Sequence, residues 1–170
     1  ELVDLKPVIA DNIETGVAFR RGGLDLQASY FWSNSDLGSR IQVVGGAGQI
    51  RRERTEIDGF ELSASYRFST GLAFGANYST LNGRFDSDDD GRVDRDLDGR
   101  NIAPDRLNAY VDAPVTENVS ARLQASHFFD RDFDGGLPQN DFNGYTLVDL
   151  LASYQSPRFG EFRLGIQNLF

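Results

Sequence analysis

The sequence predicts an all-β chain that forms a transmembrane antiparallel β-barrel, and three observations lead there. Eight stretches alternate apolar and polar residues, and period two places successive side chains on opposite faces of a strand. The links between these stretches alternate short and long. Aromatic residues, among them Phe19, Trp32, Phe68, Phe74, Phe129, Tyr154 and Phe162, fall near the stretch ends, as an interfacial girdle requires.

The first stretch, Asn12 to Arg21, sets Ile13, Thr15, Val17 and Phe19 against Asn12, Glu14, Gly16, Ala18 and Arg20. The second, from Leu24, sets Leu24, Leu26, Ala28, Tyr30 and Trp32 against Asp25, Gln27, Ser29 and Ser33. FELSASYRF opposes Phe60, Leu62, Ala64, Tyr66 and Phe68 to Glu61, Ser63, Ser65 and Arg67. LAFGANYS opposes Leu72, Phe74, Ala76 and Tyr78 to Ala73, Gly75, Asn77 and Ser79. RLNAYVDA, NVSARLQASHF, YTLVDLLASY and EFRLGIQNLF continue the pattern, with leucines on both faces of YTLVDLLASY. Alternation alone also suits a soluble β-sandwich. A polar side of Glu, Asp, Arg, Gln, Asn and small residues suits a watery lumen, and the longer stretches suffice to cross a bilayer when tilted.

The short links are RRGG (Arg20 to Gly23), STG (Ser69 to Gly71), PVTEN (Pro114 to Asn118) and SPRFG (Ser156 to Gly160), all rich in turn formers. The long links are an Arg-rich segment between Asn34 and Arg54, an Asp-rich segment from Arg84 to Asp105, and Asp130 to Asn143. The first is expected to hold hairpin arms, RIQVV and QIRRERTEI, around GGAG. In outer-membrane barrels short turns face the periplasm and long loops face outside. Here short turns join the first two stretches and the last two, so both chain ends fall on the outer side. The expectation is therefore an eight-strand arc of a larger barrel.

Composition bounds the rest. The chain has 170 residues, 39% of them hydrophobic, and no cysteine, which excludes disulfides and thiol chemistry. A net charge of −9 argues against nucleic acid as a partner. No apolar run approaches the roughly 18 residues of a membrane helix. The chain opens at ELVDLKP without a signal peptide; a barrel must be exported, so a mature chain or a fragment is expected.

Particular segments carry a family resemblance. DLKPVIADNIETGVAFRRGGLDLQASYFW resembles the lead-in and strand pair in the C-terminal half of TonB-dependent outer-membrane receptors. RTEIDGFELSASYRFSTGLAFGANYSTLNGRF is similar to their recurring strand, tight turn and return strand, and IAPDRLNAYV to the re-entry after a long loop. LGIQNLF resembles their near-terminal Gly-x-x-Asn-Leu-Phe, which a last strand normally follows. Val8 departs from the Glu that often follows this proline. The resemblance implies that residues 1–170 are part of one receptor barrel domain of about 22 strands, occupying about positions 14 to 21, with the plug domain and final strand absent. It further implies location in the outer membrane, contact with its lipid and lipopolysaccharide, coupling to the TonB complex through the absent plug region, and energised uptake of a ferric siderophore or similar iron chelate.

Two constellations are candidate sites. The first is a set of Asp-x-Asp-x-Asp-Gly units: Asp86, Asp88, Asp90 with Gly91; Asp94, Asp96, Asp98 with Gly99; and Asp130, Asp132, Asp134 with Gly135. Alternate carboxylates followed by a glycine open a calcium loop. The twelfth position, a bidentate Glu in the helix-loop-helix hand, holds Leu97, Asp105 and Asp141 respectively. The other reading is a solvated acidic loop, extended by self-repulsion and partly neutralised by Arg84, Arg92, Arg95 and Arg100. The second constellation is Arg40, Arg51, Arg52 and Arg54, whose guanidinium groups suit an anionic ferric ligand or lipopolysaccharide phosphates; a charged hairpin wall is the alternative.

No catalytic set emerges, and no cofactor is required. The sole histidine, His127, falls by parity with Val119, Ala121, Leu123 and Ala125 on the oily side, and Ser126 points the other way. The expected function is a receptor wall with outer loops. The alternatives are a passive pore or structural barrel, and a soluble calcium-binding β-sandwich.

Overall fold

The computed structural model describes residues 7–133 and 141–169. Eight long strands appear where the alternation places them: β1 (Asp11–Arg21), β2 (Leu24–Val44), β3 (Ala47–Arg67), β4 (Ala73–Phe85), β6 (Arg106–Pro114), β7 (Val119–Phe128), β8 (Tyr145–Ser156) and β9 (Gly160–Ile166). A two-residue strand, β5 (Arg95–Asp96), lies inside the Asp-rich connection. All pairings are antiparallel, and the order β1-β2-β3-β4-β6-β7-β8-β9 follows the chain. β5 takes the edge of β4 beyond β6, pairing Arg84 with Asp96 and Phe85 with Arg95.

This is a single sheet with edges at β1 and β9, an arc rather than two stacked layers. The start of β1 lies opposite Asn34, and the end of β9 lies opposite Leu150, so both ends sit on the long-connection side. A strand of 11 residues such as β1, at about 3.3 Å per residue and tilted by about 45°, spans about 25 Å, the height of an outer-membrane apolar band.

Registers carry the alternation across the sheet. Val17, Ala28, Leu62, Tyr78, Leu107 and His127 form one row on the apolar face. Much of this face is open: Val17 is 69% exposed and Leu164 68%. A continuous apolar sheet surface of this kind is foreign to a soluble monomer and suits a bilayer. The aromatic ends cluster as expected, with Tyr66, Phe68 and Phe74 in edge-to-face contact near one short turn and Tyr154 stacked with Phe162 near another.

The opposite face is a polar lattice. Gly16, Ser29, Glu61, Ser79 and Arg106 share a row. Asn108 Nδ2 donates to Asn77 Oδ1 at 2.7 Å, and Ser126 Oγ donates to Asn108 Oδ1 at 2.7 Å. Arg122 grips Asp112 with two bonds of 2.5 and 2.8 Å and lies over the Tyr110 ring. Cross-strand pairs of this type stabilise a sheet face and fix its register.

The Arg-rich link differs from a loop. β2 and β3 run through it as 21-residue strands that meet at a turn with positive φ at Gly45 (59°) and Gly46 (82°). That geometry is a type I′ hairpin turn, which glycine adopts without strain. One irregularity interrupts the ladder: Ser35 pairs with Thr55, and the next pair is Gly38 with Glu53. The extra residue on β2 is a β-bulge, and it shifts the facing of every side chain beyond it.

Candidate ligand-facing site

The candidate site lies at the long-connection end of the polar face, where the β4–β6 connection folds back onto the sheet. Its anchor is a small apolar core. Phe85, Leu97 and Ile102 are 8%, 2% and 4% exposed and contact Ile57 and Leu81. Gly83 makes the room: a Cβ there would lie 2.6 Å from Ile102 Cδ1. The backbone follows, with Leu97 N–H donating to Gly83 O at 2.8 Å and Asp94 N–H to Phe85 O at 3.0 Å. Much of this acidic connection is thus folded, not held extended by self-repulsion. Leu97, which interrupts the first Asp unit as a calcium loop, is its most buried side chain.

The three Asp units meet different fates. Asp86, Asp88 and Asp90 are the one acidic group of three, among the described residues, whose oxygens all converge within 4.8 Å. Asp86 also organises the turn, accepting from the N–H groups of Gly91 at 2.7 Å and of Asp88 and Asp90 at 3.3 Å. Burial pushes the Asp86 carboxyl up, but the N–H groups of Gly91, Asp88, Asp90 and Asp89 outweigh it and hold the group below the ordinary carboxylate range. The arrangement keeps a carboxylate charged amid two others, which is what a hard cation needs.

Asp94, Asp96 and Asp98 are not gathered. Asp94 takes the N–H and hydroxyl of Ser87 at 2.9 and 2.8 Å, and these bonds likewise hold its carboxyl below the ordinary carboxylate range. Asp96 lies in β5, 4.0 Å from Arg84. Asp98 accepts from the Arg100 N–H at 3.1 Å and from Asn101 Nδ2 at 2.8 Å, closing a turn. In the third unit Asp130 accepts from Gly144 N–H at 2.6 Å; Asp132 is exposed, and Asp134 and Gly135 lie outside the described residues.

The arginines are divided between two faces. Beyond the bulge, Arg40, Arg51 and Glu53 share the face of Thr55 and Phe85, while Arg52 and Arg54 take the other. Arg40 is ion-paired with Glu53 and stacks 4.0 Å over the Phe85 ring. Arg51, with 55% of its side chain exposed, approaches the second oxygen of the buried Glu53 at 4.0 Å. On the far face Arg52 Nη1 donates to Ser39 Oγ at 2.5 Å, and Arg54 lies 3.4 Å from Asp36 and 3.8 Å from Glu56. Arg51 is therefore the member best placed to meet a solute on the polar side. Glu53 and Asn101, both central to this arrangement, carried no sequence signal beyond being polar.

His127 Nδ1 lies 2.8 Å from Thr146 Oγ1 on the apolar face, beside the Phe129 ring.

The comparisons with known proteins agree with this architecture. Residues 3–169 match the family model described as TonB dependent receptor-like, beta-barrel. The ferric aerobactin receptor of Escherichia coli is 30% identical over 168 residues, covering 98% of this chain and 22% of its own length; that of Klebsiella pneumoniae matches to the same extent. The chain thus spans about a fifth of these relatives. Among solved structures, the copper transporter OprC superposes with a TM-score of 0.82 at 20% identity, over 99% of this chain and 26% of that one. The ferric enterobactin receptor of Pseudomonas aeruginosa gives 0.68 at 16% identity, over 95% and 25%. The family is one of receptors and transporters rather than enzymes. The chain belongs to the TonB-dependent receptors, and its strands are an arc of the β-barrel by which that family resides in the outer membrane.

Proposed function

We propose that this arc supplies wall and outer loops to a receptor that takes up a ferric siderophore or a similar iron chelate. The observation that carries the reading is the alignment with ferric aerobactin receptors along 98% of the chain. The polar lattice then lines a watery lumen, the apolar face meets lipid and lipopolysaccharide, and the folded β4–β6 connection with Arg51 stands at the outer mouth. Energy would reach the barrel from the TonB complex through a plug region outside these residues. The test is growth rescue by the full-length protein in an iron-starved strain lacking its own chelate receptors, with TonB present or deleted. Rescue by a defined ferric chelate only when TonB is present is the expected result. Rescue independent of TonB would make the protein a passive pore, and no rescue by any chelate would remove iron uptake.

Within this reading we propose that Asp86, Asp88 and Asp90 take calcium and order the connection. Calorimetry on the refolded receptor is expected to show calcium binding that Asp86→Ala abolishes and Asp96→Ala leaves intact. Binding indifferent to Asp86→Ala would exclude this unit.

A further inference from the structure

The outer part of the β2–β3 hairpin stands clear of the rest of the sheet. β1 begins at Asp11, opposite Asn34, and β4 ends at Phe85, opposite Thr55. Beyond that level, among the described residues, Gly38–Val44 and Ala47–Glu53 pair only with each other. An isolated two-stranded ribbon is marginally stable at best. What braces it is the β4–β6 connection.

The connection and the end of β4 where it begins meet the hairpin at three levels. Asp86 N–H donates to Arg54 O at 3.0 Å, and the Arg40 guanidinium covers Phe85. Nearest the tip, Asn101 binds the main chain of Ile41 with both ends of its amide: Ile41 N–H donates to Asn101 Oδ1 at 2.7 Å, and Asn101 Nδ2 donates to Ile41 O at 3.1 Å. One side chain thereby offers the donor and acceptor pair that a neighbouring strand would supply. The amide is held ready. Asp98 O accepts the N–H groups of Asn101 and Ile102 at 2.8 and 3.0 Å, and Asn101 sits between the buried Leu97 and Ile102.

We infer that Asn101 is a latch fastening the hairpin tip to the β4–β6 connection, so that the two order and move as one body at the mouth. The position of Arg51 is then set by a residue that no proximity in sequence would associate with it. Nothing in this inference depends on which ligand is carried.

The experiment is hydrogen exchange on the full-length receptor in detergent micelles, read in peptides covering the hairpin tip. Loss of the two bonds in Asn101→Ala is expected to speed exchange at residues 39–50 by on the order of tenfold, with β3 residues 60–66 unchanged. Unchanged tip exchange overturns the latch, whatever happens in the connection. Asn108→Ala, which removes a wall amide bonded to Asn77, serves as the control; equal acceleration of the tip by that variant would also overturn it. Should the alanine variant fail to insert, Asn101→Asp keeps the acceptor for Ile41 N–H and loses the donor. A smaller acceleration then supports the latch, and none overturns it.

Discussion

Leu62→Arg is expected to keep the receptor from inserting, while Ser63→Arg, one residue along the same strand, is expected to leave it folded. Leu62 lies near the middle of the part of β3 that pairs with β4 and shares the apolar row with Ala28 and Tyr78. An arginine on the lipid side of a barrel costs about 2–4 kcal/mol near the bilayer midplane, a large share of the roughly 5–15 kcal/mol that holds a typical domain together. Ser63 pairs with Gln27 and Asn77 on the polar lattice, where water solvates a guanidinium. Heat-modifiable mobility of the full-length protein from outer-membrane fractions separates the outcomes. Equal loss from both variants would contradict the assignment of faces.

The second large effect is expected from Leu97→Ala combined with Ile102→Ala. Each truncation in a well-packed core costs about 2–5 kcal/mol, and this core has just three buried members, Phe85, Leu97 and Ile102. The pair should therefore release the β4–β6 connection while the wall below the level of Leu81, which lies outside this core, stays intact. Trypsin reports it directly, because Arg92, Arg95 and Arg100 lie within the connection. Cleavage there should accelerate sharply in the double variant with the barrel still resistant. Gly83→Ala should act in the same direction, since its methyl would occupy the space of Ile102. Unaltered cleavage in the double variant would mean that hydrogen bonds alone hold the connection.

The wall was legible in the sequence because its physics is local. Period-two alternation from Ile13 to Phe19, or from Phe60 to Phe68, needs no knowledge of a partner strand, and the glycines of each tight turn mark where direction reverses. The order of short and long links then gave the sheet its topology. The mouth was less legible because its contacts are not local. Leu97 read as a defect in a cation loop, yet it is core, because Gly83 on another element leaves space above β4. Asp98 read as a cation ligand, yet it closes a turn. The four arginines read as one patch, yet alternation along β3 sends Arg51 to one face and Arg52 and Arg54 to the other, and the extra residue near Asp36 and Leu37 brings Arg40 to the side of Arg51. Spacing revealed which groups were present there but not which of them would meet.

That extra residue has a consequence for how such a receptor can change. Deleting one position between Ser35 and Gly38 would re-phase the distal arm of β2 while leaving the membrane wall untouched. Ile41 and Val43 would turn inward, and Arg40 and Gln42 would turn outward. A single-codon event could thus set aliphatic side chains beside Arg51 in place of Arg40 and Gln42. The bulge is a point where the lining of the mouth can change side chains while the pairings of the wall strands stay as they are.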